Sequence, residues 1–86
     1  MKILYFAWVR DKVGKDSEVV DIPPNIATAG AFVKWFRERG PVYAEIIDAS
    51  DTVKMAINQE YAGDDHPITN DDEVALFPPV TGGVHD

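Results

Sequence analysis

Asn70-Asp71-Asp72, then Glu73-Val74-Ala75-Leu76-Phe77, then Pro78-Pro79 read as a bend, a strand and a hard stop. Asparagine and aspartate favour tight bends because their short side chains bond the local backbone. The five residues that follow suit a strand. Neither proline can donate to a ladder, so regular pairing ends with Phe77 and the chain leaves the sheet there. Just upstream, Val53 to Ile57 alternates apolar and polar residues, which predicts a half-exposed strand. Asn58-Gln59-Glu60-Tyr61 either continues that strand or turns out of it, and Asp64-Asp65-His66-Pro67 reads as a loop.

At the other end, Lys2 to Val9 is nearly continuous in apolar, β-branched and aromatic character, which predicts a central strand covered on both faces. Arg10 to Asp16, with Gly14 inside it, reads as a loop, and Glu18 to Ile22 as the second arm of an antiparallel hairpin closed by Pro23-Pro24. The clearest helix lies between Thr28, a candidate N-cap, and Gly40-Pro41, a glycine followed by a breaker. Ala29, Phe32, Val33 and Phe36 fall on one face at helical spacing, with Lys34, Arg37 and Glu38 opposite. Trp35 lies at the edge of that stripe and is expected to roof the core. Val42 to Ala49 suggests a shorter helical turn, followed by a Ser50-Asp51 loop. The order strand, strand, helix, short helix, strand, strand makes a two-layer α+β domain. A β-grasp satisfies it, and so do other small α+β folds.

The chain has 86 residues, enough for one domain with one core. Its 45% hydrophobic and 27% charged content is that of a folded globular protein. No apolar run approaches the roughly 20 residues needed to span a bilayer. The opening Met1 to Val9 has one Lys and an apolar stretch, but it is too short for a signal peptide, and Arg10-Asp11-Lys12 follows in place of a small-residue cleavage site. A core strand and a cytoplasmic location are therefore expected. There is no cysteine, which removes disulfides, thiolate metal sites and cysteine nucleophiles together. A formal charge of −7 argues against nucleic acid. A protein partner would offer a basic or apolar surface, but for charge alone the better reading is that it keeps a small protein soluble.

Side-chain chemistry is sparse. His66 sits among Asp64 and Asp65, but the spacing matches no ligand motif and the only other histidine is His85. Asp71-Asp72-Glu73 lacks the glycine and ligand spacing of a calcium loop. Ser17, Ser50 and the threonines have no histidine placed to activate them. The tail is more suggestive. Pro78-Pro79-Val80-Thr81-Gly82-Gly83 leaves a strand through two prolines that hold it extended, then narrows to two glycines able to thread a tunnel. Such a tail suits carboxylate activation, in which an acyl-adenylate is made and a sulfur donor displaces AMP to leave a thiocarboxylate. Taken alone, a terminal Gly-Gly is better explained as a frayed end, where glycine is common and order is not needed.

Read end to end, residues 1 to 83 resemble molybdopterin synthase small subunits, the sulfur carriers of the ubiquitin-like family shared with thiamine synthesis. The shared landmarks are Leu4-Tyr5-Phe6-Ala7 with Val9-Arg10, Ile57-Asn58-Gln59, His66-Pro67-Ile68, and Asp72-Glu73-Val74-Ala75-Leu76-Phe77-Pro78-Pro79-Val80-Thr81-Gly82-Gly83. The resemblance implies a β-grasp (ubiquitin-like) domain over residues 1–77, with a mixed sheet and one main helix packed across it. An extended tail over 78–86 carries Gly82-Gly83. It further implies that Gly83 bears the reactive carboxyl group, that Pro78, Pro79, Val80, Thr81 and Gly82 form the threaded approach, and that no metal or permanent cofactor is held.

ATP would be consumed by a partner adenylating enzyme, which with a sulfurtransferase system activates the tail. The large subunit of molybdopterin synthase would then receive the thiocarboxylate. There it would donate sulfur to cyclic pyranopterin monophosphate (precursor Z), and the small subunit itself would be a non-catalytic donor in a heterotetramer. Phe6, Tyr61 and Phe77 correspond to the family's apolar docking surface, with Tyr61 standing where an aliphatic residue is common. Core packing is the competing reading for Phe6 and Phe77. Val84-His85-Asp86 departs from the family pattern, which stops at Gly-Gly. Proteolytic processing, a cloning remnant and loss of carrier function are all open, with processing the expectation. Two further readings compete for the whole chain: a ubiquitin-like modifier joined to target lysines through Gly83, and a β-grasp interaction module without tail chemistry.

Overall fold

The computed structural model describes residues 1–49 and 53–78. The Ser50-Asp51 loop and the tail from Pro79 onward lie outside the described residues. Eight elements follow in order: β1 (Lys2–Tyr5), α1 (Ala7–Val13), β2 (Ser17–Val19), α2 (Ala29–Arg37), α3 (Pro41–Asp48), β3 (Lys54–Ile57), β4 (Glu60–Tyr61) and β5 (Glu73–Phe77). They build a mixed sheet in the order β2-β1-β5-β3-β4, with β1 and β5 parallel at its centre and the other pairs antiparallel. Helices cover one face of the sheet. This is the β-grasp arrangement of an α+β domain.

The amino-terminal run departs from expectation. The strand stops at Tyr5, and Arg10 to Val13, expected in a loop, is helical. Phe6 stays extended, Ala7 takes a φ of 53°, and the chain turns sharply into α1. A positive φ is uncommon for a residue with a Cβ. The helical signal was present but masked: Val9 and Val13 stand four apart, and Val9 is fully buried while Val13 is half-buried. Gly14, at φ 90°, then closes α1 with its N–H donating to the Arg10 carbonyl. Nor is β1 covered on both sides, since Lys2 is exposed and Leu4 only half-buried.

The main helix is close to its expected form. Thr28 Oγ accepts from the Ala31 N–H at 3.2 Å, and Ala29, Phe32 and Phe36 are buried. Trp35 packs against the core as expected. Gly40-Pro41 acts differently: α2 is capped by Glu38, and Gly40 instead caps the start of α3 with Pro41 in its first turn. Proline suits that position because the missing N–H would have had no intrahelical partner.

Register assigns the two faces of the sheet. Ile3, Val74 and Ile57 form one inward row, and Tyr5, Leu76 and Met55 the next. They meet Val9, Phe32, Phe36 and Ile46 in the core. Between β3 and β4, Asn58 and Gln59 both adopt positive φ, as a two-residue hairpin turn requires. Asn58 also braces β5: its amide donates to Asp72 and its side-chain oxygen accepts from the Glu73 N–H. Asn58 and the Thr69 N–H hold the Asp72 carboxylate below its ordinary pKa.

A charged cluster closes the β2 edge of the interior side of the sheet. Glu18, in register with Ile3, presents both carboxylate oxygens to the Arg39 guanidinium at 2.8 and 2.9 Å and accepts from the Tyr5 hydroxyl. Arg39 in turn lies 4.3 Å from the Tyr43 ring centroid and also faces Trp35 and Phe36. The bidentate bond to Arg39 pulls the Glu18 carboxyl below its ordinary pKa, and burial with the Glu18 bond pushes the Tyr5 hydroxyl far up. A depressed folded pKa contributes stability above the unfolded value, near 4.5, that is lost as pH falls through the folded one. Glu18→Gln is therefore expected to cost about 2 kcal/mol at neutral pH, because it leaves Arg39 without its counter-charge. Urea unfolding across the acid range should also show a flatter loss of stability below about pH 4.5 in the variant.

Candidate functional site

Among the described residues no helix lies over the opposite face of the sheet. Its middle row runs Leu4, Ala75, Ala56, Tyr61 across β1, β5, β3 and β4. A second row runs along the edge where β5 ends. Phe77 is in register with Lys54, and on its other side the Phe6 N–H donates to the Leu76 carbonyl, extending the β1–β5 pairing by one residue. Because Phe6 is extended and Tyr5 points into the core, Phe6 projects from this outer face.

The aromatic residues assigned to docking are thus brought together. Phe6 is 47% exposed, Tyr61 71% exposed and Phe77 half-buried, so core packing is not their role. The Tyr61 and Phe77 rings stand 6.0 Å apart and tilted by 49°. They meet diagonally over β3, where Phe77 stands opposite Lys54 and Tyr61 opposite Ala56, a small residue that is itself 7% exposed. Sequence reasoning missed the small residues Ala56 and Ala75. Their signal was strand alternation, which places a small residue outward at the centre of each strand. It also missed Trp8, a further exposed aromatic two residues beyond Phe6.

The face has a direction. β5 delivers the chain to Pro78, the last described residue, at the edge where Phe6 and Phe77 stand side by side. Pro79, Val80, Thr81, Gly82 and Gly83 follow in sequence and lie outside the described residues. Phe6 is also the N-cap of α1, yet it offers that helix no side-chain hydrogen bond. Serine, threonine, asparagine or aspartate would serve better there. The site residue is one that local stability would not select.

The other sequence candidates fall elsewhere. The His66 loop serves α2: the His66 carbonyl accepts from the Ala29 N–H and the Asp64 carbonyl from the Gly30 N–H, both at 2.9 Å. Gly30 allows this approach, since a Cβ there would come within 3.2 Å of the Asp64 side chain. His66 Nδ1 lies 2.8 Å from the Pro67 carbonyl. Among the described residues no group of His, Asp and Glu is arranged to hold a metal ion, and no helix is long and apolar enough to cross a membrane.

Comparison with known proteins matches this geometry to a family. The model of the ThiS family matches residues 3–83. The molybdopterin synthase sulfur carrier subunit of Dictyostelium discoideum is 36% identical over 84 residues, spanning 95% of this chain and 94% of that protein. The subunit of the same name from Escherichia coli (strain K12) is 36% identical over 83 residues, spanning 96% and 99%. Among solved structures, a putative molybdopterin converting factor, subunit 1, from Pyrococcus furiosus superposes with a TM-score of 0.74 at 26% identity, covering 92% of this chain and 95% of that one.

Proposed function

The chain belongs to the ThiS family, and from that premise we propose that it is the sulfur carrier subunit of a molybdopterin synthase in molybdenum cofactor biosynthesis. The observation that carries the reading is the uncovered aromatic face of Phe6, Tyr61 and Phe77, set at the end of the strand from which the tail departs. A carrier needs two things of its folded body: a surface that docks, and a tail that leaves beside it. Both belong to the same edge of one sheet.

The chemistry resides at Gly83. Hydrolysis of the Gly83–Val84 bond frees its carboxylate, which attacks the α-phosphate of ATP on an adenylating enzyme and releases pyrophosphate. A sulfur donor then displaces AMP, and the tail becomes a thiocarboxylate. Docked on the large subunit of the synthase, the thiocarboxylate gives its sulfur to cyclic pyranopterin monophosphate, and the carboxylate returns for another cycle. Two such transfers make the dithiolene. Pro78 has no N–H with which to continue the ladder beyond Phe77, and Pro79, Val80, Thr81 and Gly82 are the residues that would form the approach to the partner's pocket. The small subunit supplies sulfur and surface, while substrate binding falls to the large one. The setting is cytoplasmic, where ATP and the activating enzyme are available.

The intact mass of the protein isolated from its native cells tests this directly. Loss of Val84-His85-Asp86 with one oxygen replaced by sulfur is expected. Full-length protein with no sulfur in any growth condition would sink the reading, and branched conjugates to other proteins would replace it with a modifier.

A further inference from the structure

Whole-chain charge is compatible with a basic or apolar partner surface, but charge is not spread evenly over this molecule. Five of its eight cationic side chains are engaged in ion pairs: Arg10 with Asp11 and Asp16, Lys12 with Glu45, Lys15 and Arg39 with Glu18, and Arg37 with Asp48. Among the described residues Lys2, Lys34 and Lys54 make none. Lys34 lies on the solvent side of α2. The other two stand on the aromatic face of the sheet, at opposite corners of it. Lys54 is in register with Phe77, and Lys2 is in register with Glu73 at the far end of β5. From strand spacing their Cα atoms are about 16 Å apart.

We propose that Lys54 is the charged anchor of the docking face, and that the large subunit meets it with a carboxylate beside an apolar patch. The identity of that partner rests on the sulfur-carrier reading above; the chemistry of its surface does not. A partner that covers Phe77 also covers the Lys54 stem, because the two are cross-strand neighbours. An ammonium brought under an interface loses water, and a carboxylate opposite it restores the balance. The other neighbours of Phe77 on this face are apolar (Phe6 in its own row, Tyr61 across β3), so nothing on the described surface neutralises Lys54. The partner surface is then apolar at its centre, with a carboxylate where it meets Lys54 beside Phe77. Charge placed there also sets the orientation of docking, since the apolar patch alone has little directional content.

Binding of the large subunit to the parent chain and to Lys54→Glu, Lys54→Met and Lys34→Glu, by calorimetry at low and high salt, tests this. Lys54→Glu is expected to bind about tenfold more weakly, or worse, through a slower association. Lys54→Met should lose only a few-fold and lose most of the salt dependence, while Lys34→Glu stays within about twofold of the parent. Lys54→Met also keeps the test informative if the acidic variant folds poorly. Equal binding by Lys54→Glu and Lys34→Glu would overturn the anchor and leave the carrier reading standing, as would tighter binding by Lys54→Glu. A parent chain that does not bind the large subunit at all would overturn both.

Discussion

A chain ending at Gly83 should be adenylated by its activating enzyme, and the chain ending at Asp86 should not. The reason is covalent before it is structural. In the longer chain the Gly83 carbonyl is an amide, with no carboxylate oxygen to attack ATP. Asp86 does offer a carboxylate, but it stands three residues further on, up to about 10 Å away along an extended chain. A site built for a terminal glycine would hold it far from the reacting phosphate, and a misplacement of 1 Å already costs about a hundredfold. The adenylation rate, read as ATP-dependent pyrophosphate release, is therefore expected to differ by at least about a thousandfold between the two forms. Extending the shortened chain by one residue beyond Gly83 should abolish the gain. If both forms are adenylated at equal rates, Gly83 is not the working group.

The second large effect separates docking from stability at Phe6. Replacing it with aspartate removes an aromatic side chain from the proposed docking face and puts a charge in its place. Truncating a central aromatic of an interface commonly costs 2 kcal/mol or more, and an unpaired carboxylate there adds its desolvation, so affinity for the large subunit should fall about a hundredfold. Folding should not suffer. Phe6 caps α1 without a side-chain bond, and aspartate is among the preferred residues at that position. The thermal midpoint of Phe6→Asp is expected to equal or exceed that of the parent. A variant that loses stability along with binding would show that Phe6 holds the fold, and that the aromatic face has been misread.

Some of this was legible in the chain. The β5 strand and its proline stop, the Thr28 cap and the buried stripe of Phe32 and Phe36 follow from local chemistry. That chemistry depends on residues adjacent in sequence or one helical turn apart. The β1–α1 corner was not legible, because an apolar run carries both periods at once and only Ala7's unusual backbone chooses between them. Gly40-Pro41 was ambiguous for a related reason, since glycine then proline can close one helix or open the next. At the site, alternation could not say which face of β5 would be covered. Resemblance selected Phe6, Tyr61 and Phe77, but their proximity depends on strand order. So does the adjacency of Lys54 to Phe77, which joins residues 23 positions apart in the chain.

The central pair of the sheet joins the first strand to the last, and that has a consequence for how the protein is made. As the chain is synthesised, β1 emerges early and has no β5 to pair with until nearly the whole sequence has been translated. Closing so long a loop is slow and is rewarded only at the end. Ribosomal products that stop short of Phe77 lack the middle of the sheet and cannot reach the native state. Every folded copy has therefore been synthesised through to the threshold of its tail. On the proposed reading, a partner that recognises the assembled face would receive, by the same act, an assurance that the strand leading towards Gly83 is present.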